Sequence, residues 1–289
     1  MRSTNILRMS SAIRWAFNWK EWNPNEQEFE YAISCVQNDE KTRLGKFVFR
    51  KDVRASLVGR LLMRKFVNEY MGLPYDKIVF VRDKHNKPVL KNNSVDVSFN
   101  VSHQGSYTVL AGEIRDIRLG VDVMALEYTG GKSVPEFFRI MNSNFSSAEW
   151  EEIRGLSSGK SETEQIFMFY RHWALKESYV KALGLGIVID LRNIDFRTNS
   201  ELSEDSITTD TILYIDGIKQ QDWTFEETLL DSQHCVAVAL QENIRDNSLR
   251  LHNTMFEVMN FDKLIAHAIP LFPLDPQYTT QYFTKSEKP

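Results

Sequence analysis

The sequence predicts an α+β fold built from two halves of similar element order. Two observations carry this. Each half has one long helical pattern, over residues 51–71 and 164–183, and a set of short segments that alternate in hydrophobicity. Helices also come in runs before runs of strands, which argues for antiparallel sheets over a parallel α/β sheet. Identity between the halves is negligible, so the repeat is one of element order.

In the first half, Ile13-Arg14-Trp15-Ala16-Phe17 alternates like a strand. Asn25 caps a helix to about Gln37, and a short helix follows over 39–46. The long helix places Val53, Leu57 and Leu61 on one stripe and ends at Gly72-Leu73-Pro74. Strands are expected over 78–81 and 95–102. In the second of these, Val95, Val97, Phe99 and Val101 alternate with Asp96, Ser98, Asn100 and Ser102. His103-Gln104-Gly105-Ser106 turns the chain into a partner strand over 107–111.

The second half opens on Leu119, Val121 and Val123 alternating with Gly120, Asp122 and Met124, again a strand. A short helix over 133–142 comes next. Ser146 and Glu149 have capping-box spacing before another short helix. A Ser/Gly/Lys/Glu loop over 156–163 leads to the aromatic-rich long helix, stopped by Gly184 and Gly186. Strands are expected over 187–196, 211–216, 222–227 and 234–240. The expected division is 1–116, 117–244 and a C-terminal extension 245–289 that wraps the body or frays.

Composition narrows the function classes. The 289 residues are 42% hydrophobic and 26% charged, which excludes disorder, collagen and coiled coil as whole-chain descriptions. No apolar run approaches a membrane span. Cys35 and Cys235 are the only cysteines, too few for a disulfide framework or a cysteine-built zinc site, and they suit a reducing, cytosolic setting. Arg2, Arg8 and Arg14 with intervening serines imitate a mitochondrial presequence, but the strand pattern at 13–17 favours a structural N-terminus. The formal net charge is −4, yet nine basic residues and one acid lie between Lys41 and Lys65. Such a cluster is either a local anion site or a solvated helix face. Few aromatic residues interleave it, so a nucleic-acid stacking platform is poorly supported.

Three constellations are suited to chemistry. Ile166, Tyr170, Trp173, Glu177 and Lys181 share one helix stripe. The carboxylate is either a partly buried partner of Lys181 or a cation ligand. Asp122 lies on the polar side of its strand, as a solvated aspartate or as one of the one or two carboxylates that magnesium takes from a protein. The turn at Asn100, Val101, Ser102, His103 and Gln104 is a polar hairpin tip or a phosphate site. The stretch Arg82, Asp83, Lys84, His85, Asn86, Lys87 is a basic loop or an anion clamp.

Taken in order, Phe99-Asn100-Val101-Ser102-His103, then Gly120-Val121-Asp122, then Trp173-Ala174-Leu175-Lys176-Glu177-Ser178-Tyr179-Val180-Lys181 resembles the phosphopantetheinyl transferase family. The order and separation of these motifs are highly specific. Lys84-His85-Asn86-Lys87-Pro88 resembles the family's Gly-Lys-Pro segment, with Asn86 in place of the usual glycine. The resemblance runs from about Ile13 to Leu240. It is strongest to the animal cytosolic branch, on Phe47-Val48-Phe49, Gly59-Arg60-Leu61, Pro135-Glu136-Phe137-Phe138, Met168-Phe169-Tyr170-Arg171 and Phe261-Asp262.

The resemblance implies a pseudo-dimer with coenzyme A in the cleft between the halves, in a monomer with an internal pseudo-twofold. It implies magnesium-dependent transfer of the 4′-phosphopantetheine arm to a carrier-protein serine, releasing adenosine 3′,5′-bisphosphate. Asp122 and Glu177 match the metal ligands, and Glu177 also matches the proposed general base. Lys181 and Lys176 match the cations beside the pyrophosphate. Arg43 and His103 match contacts to the 3′-phosphate. Arg82, Asp83, Lys84, His85, Asn86, Lys87, Asn100, Val101, Ser102 and Ser178 fall on cofactor-contacting segments, and Gln104 is placed to orient a water or the incoming serine. Met124 stands where many members have a third acidic ligand, and a thioether is a poor partner for a hard cation. The implied partners are carrier domains of fatty acid synthase, the mitochondrial acyl carrier protein, aminoadipate-semialdehyde dehydrogenase and formyltetrahydrofolate dehydrogenase, with no nucleic acid and no membrane. A coenzyme A-binding regulator without catalysis is the alternative that Met124 favours.

Overall fold

The computed structural model describes residues 12–84, 87–91, 97–128, 130–155, 157–184, 190–241 and 254–287. The first strand, β1 (Ala12–Asn18), leads to α1 (Glu26–Ser34). Asn25 and Glu28 form a reciprocal capping box there, satisfying two otherwise orphaned N–H groups. A short α2 (Asn38–Gly45) follows, and then α3 (Arg50–Met71), which Gly72 ends in the left-handed conformation at φ 65°. A hairpin of β2 (Phe80–Arg82) and β3 (Pro88–Leu90) precedes β4 (Ser98–Gln104) and β5 (Tyr107–Glu113).

In the second half, β6 (Arg118–Ala125) precedes α4 (Val134–Ile140), α5 (Ser147–Arg154) and α6 (Glu162–Leu183). Ser146 and Glu149 form the expected capping box of α5. The strands β7 (Ile194–Arg197), β8 (Ile212–Ile215), β9 (Ile218–Lys219), β10 (Trp223–Asp231) and β11 (His234–Gln241) follow. The C-terminal segment holds β12 (Glu257–Val258), α7 (Phe261–Ile265) and α8 (Pro276–Thr284).

Two sheets organise the chain, in the orders β12-β1-β5-β4 and β10-β11-β6. All their pairings are antiparallel except β1 with β12. Val53, Leu57 and Leu61 of α3 pack on Ile13, Trp15 and Leu110 at one outer face. Leu175 and Tyr179 of α6 pack on Cys235, Ala237 and Ala239 at the other. The inner faces meet: Ala16, Val109 and Ala111 of the first sheet lie against Val121, Val123, Val236 and Val238 of the second. The halves thus stack as helix, sheet, sheet and helix, each sheet buried on both sides.

Buried charge also joins the halves. Arg14 bonds Glu113 at 2.9 Å in its own sheet and Glu226 at 2.8 Å across the interface. The C-terminal segment lies along the first half, where Phe261 stacks on Trp22 and Tyr282 on Phe29.

Several expected boundaries move. A 3-10 turn at Tyr75–Lys77 delays the strand expected from 78 to Phe80. Leu191–Asn193 is also a 3-10 turn, so the strand expected over 187–196 starts at Ile194, and 185–189 lie outside the described residues. The chain does not turn at His103. β4 runs through Gln104, and Gly105-Ser106 alone makes the loop, with Gly105 at φ 61°.

Candidate active site

The central contact of the site is a glycine where helix α6 crosses strand β6. A Cβ added to Gly120 would strike the carbonyl of Ser178 and the backbone of Ala182. Only glycine lets the helix approach so closely, and that approach brings Glu177 and Lys181 to Asp122, two residues along the strand.

Asp122 faces the helix, not solvent as its polar strand position suggested, and is 5% exposed. Its Oδ1 accepts hydrogen bonds from Ser102 Oγ at 2.7 Å and Lys181 Nζ at 2.6 Å. Ser102 belongs to the other half, and Lys181 also donates to its Oγ at 2.7 Å. Asp122 Oδ2 is buried and has no partner among the described residues. An orphaned carboxylate oxygen is costly to bury and points to a missing ligand. Burial first, and the charge of Asp122 second, hold the Glu177 carboxyl above its usual range, opposed by Lys181. Two carboxylates close enough to repel, one with a spare buried oxygen, fit a magnesium ion that completes its shell with phosphate and water. Among the described residues no group of three or more His, Cys, Asp or Glu gathers for a metal.

Alternate residues of β4 stitch this edge to the second half. Ser98 Oγ donates to the Ile117 carbonyl at 2.6 Å, Asn100 Oδ1 accepts from Val121 N–H at 3.0 Å, and Gln104 Oε1 accepts from Ala125 N–H. The edge strands are not paired in one ladder, so these side chains stand in for backbone partners. Asn100 and Gln104 therefore set the geometry of the strand carrying Asp122. Val101 points the other way, into the core of the first half.

A second cluster lies in the first half. Glu40, 5% exposed, is shared by three guanidinium groups: Arg82 at 2.6 Å, Arg60 at 3.0 Å and Arg43 at 3.3 Å. Burial pushes Arg60 down to about 10 against the pull of Glu40, and Arg82 and Arg43 add to the shift. The imidazole of His103 lies at the rim, between the clusters. Desolvation in the cleft, then the charges of Lys181, Arg60 and Arg43, hold it below its usual range, opposed by Asp52. Elsewhere in the basic stretch Lys46 is exposed, but three side chains of α3 are buried and bonded. Arg64 bonds the carbonyl of Ile78 at 3.0 Å and that of Tyr75, Lys65 pairs with Glu69 at 2.5 Å and Arg54 with Glu287.

Lys87 lines a cleft of about 310 Å³ with Pro88, Leu90, Phe99, Leu119 and Ala182. Asp83 closes the adjoining hairpin by accepting Lys87 N–H at 2.9 Å. Lys84 is exposed, and His85 and Asn86 lie outside the described residues.

Two expected contacts are not brought to the site. Lys176 is 1% exposed and points away from Glu177. Its Nζ donates to the carbonyls of Leu191 and Ile194, both at 2.6 Å, and pairs with Glu149 at 2.8 Å. Ser178 is fully buried and donates to the Leu175 carbonyl at 2.8 Å. Adjacent residues on a helix diverge by about 100°. Met124 packs in the apolar cluster with Ala174 and Leu175, so its side chain serves the core. Arg60 falls in the basic run read as a possible anion site, whereas nothing in that reading marked Glu40 as the acid that gathers these arginines. The i,i+3 spacing of Glu40 and Arg43 was the available signal.

Residues 20–115 match the family described as 4′-phosphopantetheinyl transferase, N-terminal. Residues 118–239 match the 4′-phosphopantetheinyl transferase superfamily. The chain belongs to that superfamily and is a phosphopantetheinyl transferase. It is 40% identical to the L-aminoadipate-semialdehyde dehydrogenase-phosphopantetheinyl transferase of Mus musculus, covering 94% of this chain and 91% of the relative. The Xenopus laevis protein of the same name is also 40% identical, over 96% and 94%. A bacterial relative, the 4′-phosphopantetheinyl transferase gsp of Aneurinibacillus migulanus, is 26% identical over 78% and 86%. Among the described residues no helix is long and apolar enough to cross a membrane.

Proposed function

We propose that the chain transfers the 4′-phosphopantetheine arm of coenzyme A to a serine of apo carrier-protein domains. The observation that carries this is Asp122: one oxygen fixed by Ser102 and Lys181, the other buried beside Glu177 without a partner among the described residues. Asp122 and Glu177 would hold magnesium, which when bound supplies positive charge to the phosphate oxygens. The serine Oγ attacks the phosphorus next to the pantetheine arm. Its proton passes to Glu177, directly or through one water, and the P–O bond to the bridging oxygen breaks. The electron pair leaves with adenosine 3′,5′-bisphosphate. Lys181 contributes a fixed charge beside the pyrophosphate. Arg43, Arg60, Arg82 and His103 take the 3′-phosphate, the cleft at Lys87 takes the adenosine end, and Gln104 orients the incoming serine.

The mouse and frog relatives are named for aminoadipate-semialdehyde dehydrogenase, so a carrier domain of that type is the first acceptor to try, with acyl carrier proteins beside it. Both described cysteines are free and buried, which suits action in the cytosol. The test is mass spectrometry of an apo carrier incubated with protein, coenzyme A and magnesium. A gain of one phosphopantetheine, abolished by a chelator, is expected. No gain across several carriers, with coenzyme A still bound, would leave a regulator. Glu177→Gln should lower turnover about 10²–10⁴-fold with coenzyme A affinity kept, and near-normal turnover would remove Glu177 as the base.

A further inference from the structure

The short helix α2 carries Glu40 and Arg43 but is poorly equipped to hold itself. It has eight residues, and its N-cap, Gln37, makes no side-chain capping bond. A helix this short is marginal without outside support. Gln37 ties its start to the Phe80 backbone at 2.8 and 2.9 Å and Glu40 pairs with Arg60 and Arg82, while the C-terminal segment holds the stretch from Lys41 onward. Lys285 Nζ donates to the carbonyls of Gly45 at 3.1 Å and Phe47 at 2.7 Å, capping the helix end with a cation. Tyr278 Oη donates to the Lys41 carbonyl at 2.9 Å, and Lys41 pairs with Asp275 at 2.8 Å. The Tyr278 ring lies against Gly45, where an added Cβ would come within 3.3 Å. Beyond α8, Arg50 N–H donates to the Ser286 carbonyl at 2.9 Å, and Glu287 pairs with Arg50 at 3.2 Å and with Arg54. All these anchors fall between Lys41 and Arg54, on either side of Arg43 and of Phe47, whose ring lies under the Arg43 guanidinium at 5.7 Å.

We infer that residues 275–287 are a positioning strap for phosphate recognition: by fixing α2 they hold Glu40 and Arg43 in the arginine cluster and so set the preference for the 3′-phosphate of coenzyme A. This rests on the reading of that cluster as the 3′-phosphate site. The strap touches neither Asp122 nor Glu177, so it acts on binding and leaves the chemical step alone.

The experiment compares full-length protein with the double variant Lys285→Met, Glu287→Gln. Calorimetry gives Kd for coenzyme A and for 3′-dephospho-coenzyme A, and carrier modification gives kcat at saturating coenzyme A. The expected result is a rise of about tenfold in Kd for coenzyme A, with Kd for the dephospho form and kcat unchanged. Lys285→Arg with Glu287 intact should restore the affinity. Should the double variant not fold, Tyr278→Phe removes one anchor, keeps the ring and is read in the same way. Equal rises for both ligands, no rise at all, or a fall confined to kcat would overturn the strap. Arg43→Ala separates the two readings. If it leaves the preference for the 3′-phosphate intact, the cluster assignment itself fails. If it abolishes the preference while the strap variants do not, the strap alone fails.

Discussion

Two buried charge clusters bridge the halves, and they are finished differently. In the cluster around Arg14, Nε bonds Glu226, Nη2 bonds Glu113, and Nη1 bonds the carbonyls of Ile13 and Gly112 at 2.9 and 3.2 Å. Glu113 also receives Arg115 at 3.2 Å. In the cluster around Asp122, Ser102 and Lys181 crowd onto one oxygen, and the other has no partner among the described residues. A network closed by its own residues serves the fold. One left open at a buried oxygen keeps a cost that only a ligand repays, and such local inconsistencies concentrate at functional sites.

The sharpest way to break this comparison is Arg14→Met. It removes the cation that Glu113 and Glu226 share across the interface and leaves Glu113 with Arg115. Stripping one partner from a buried network costs about 3–5 kcal/mol, and urea unfolding should show a loss of that size, with turnover per folded molecule retained. A loss under about 1 kcal/mol would mean that the cluster only breaks even and does not hold the halves.

Asp122→Asn should do the reverse. Asparagine keeps an oxygen to accept from Ser102 and Lys181, and it replaces the buried carboxylate oxygen that has no partner among the described residues with a neutral amide. Stability should be unchanged or slightly higher, while turnover falls about 10²–10³-fold, as when a charge-stabilising group is removed from an active site. Lost stability with kept turnover would put Asp122 in the same class as Arg14.

The sequence made the open cluster easier to read than the closed one. Asp122, Glu177 and Lys181 stand out because a carboxylate on an apolar stripe and an aspartate in a valine-rich strand conflict with burial. Capping boxes and terminal glycines likewise fix helix ends locally, as at Asn25, Ser146, Gly72 and Gly184. Partners distant in sequence leave no such mark. Arg14 and Glu226 lie 212 residues apart, and nothing local tells that a strand arginine will be buried. Lys176 was misplaced for a different reason. The helical period puts Lys181 about 40° from Glu177 and Lys176 about 100° away, yet motif adjacency grouped all three. Glu40 sits in a short, highly charged helix that reads as solvated, and it is buried by partners distant in sequence, Arg60 of α3 and Arg82 of the β2 hairpin.

The smallest expected effect extends the comparison to His103, which lies between the open cluster and the arginines. In the free protein its imidazole is held below the ordinary histidine range, by desolvation first and then by Lys181, Arg60 and Arg43. It is therefore neutral at pH 7. A 3′-phosphate arriving beside it would favour the protonated ring and raise that pKa, so binding takes up a proton. By linkage, affinity for coenzyme A should rise as pH falls through the bound-state pKa and level off below the lowered free-state value. Phosphate protonation near pH 6 works against the gain, so the slope is read against His103→Gln. Calorimetry across this window should show the wild-type slope lost in that variant and absent with 3′-dephospho-coenzyme A. A slope that survives in both would move the proton uptake away from His103 and detach this residue from the phosphate cluster.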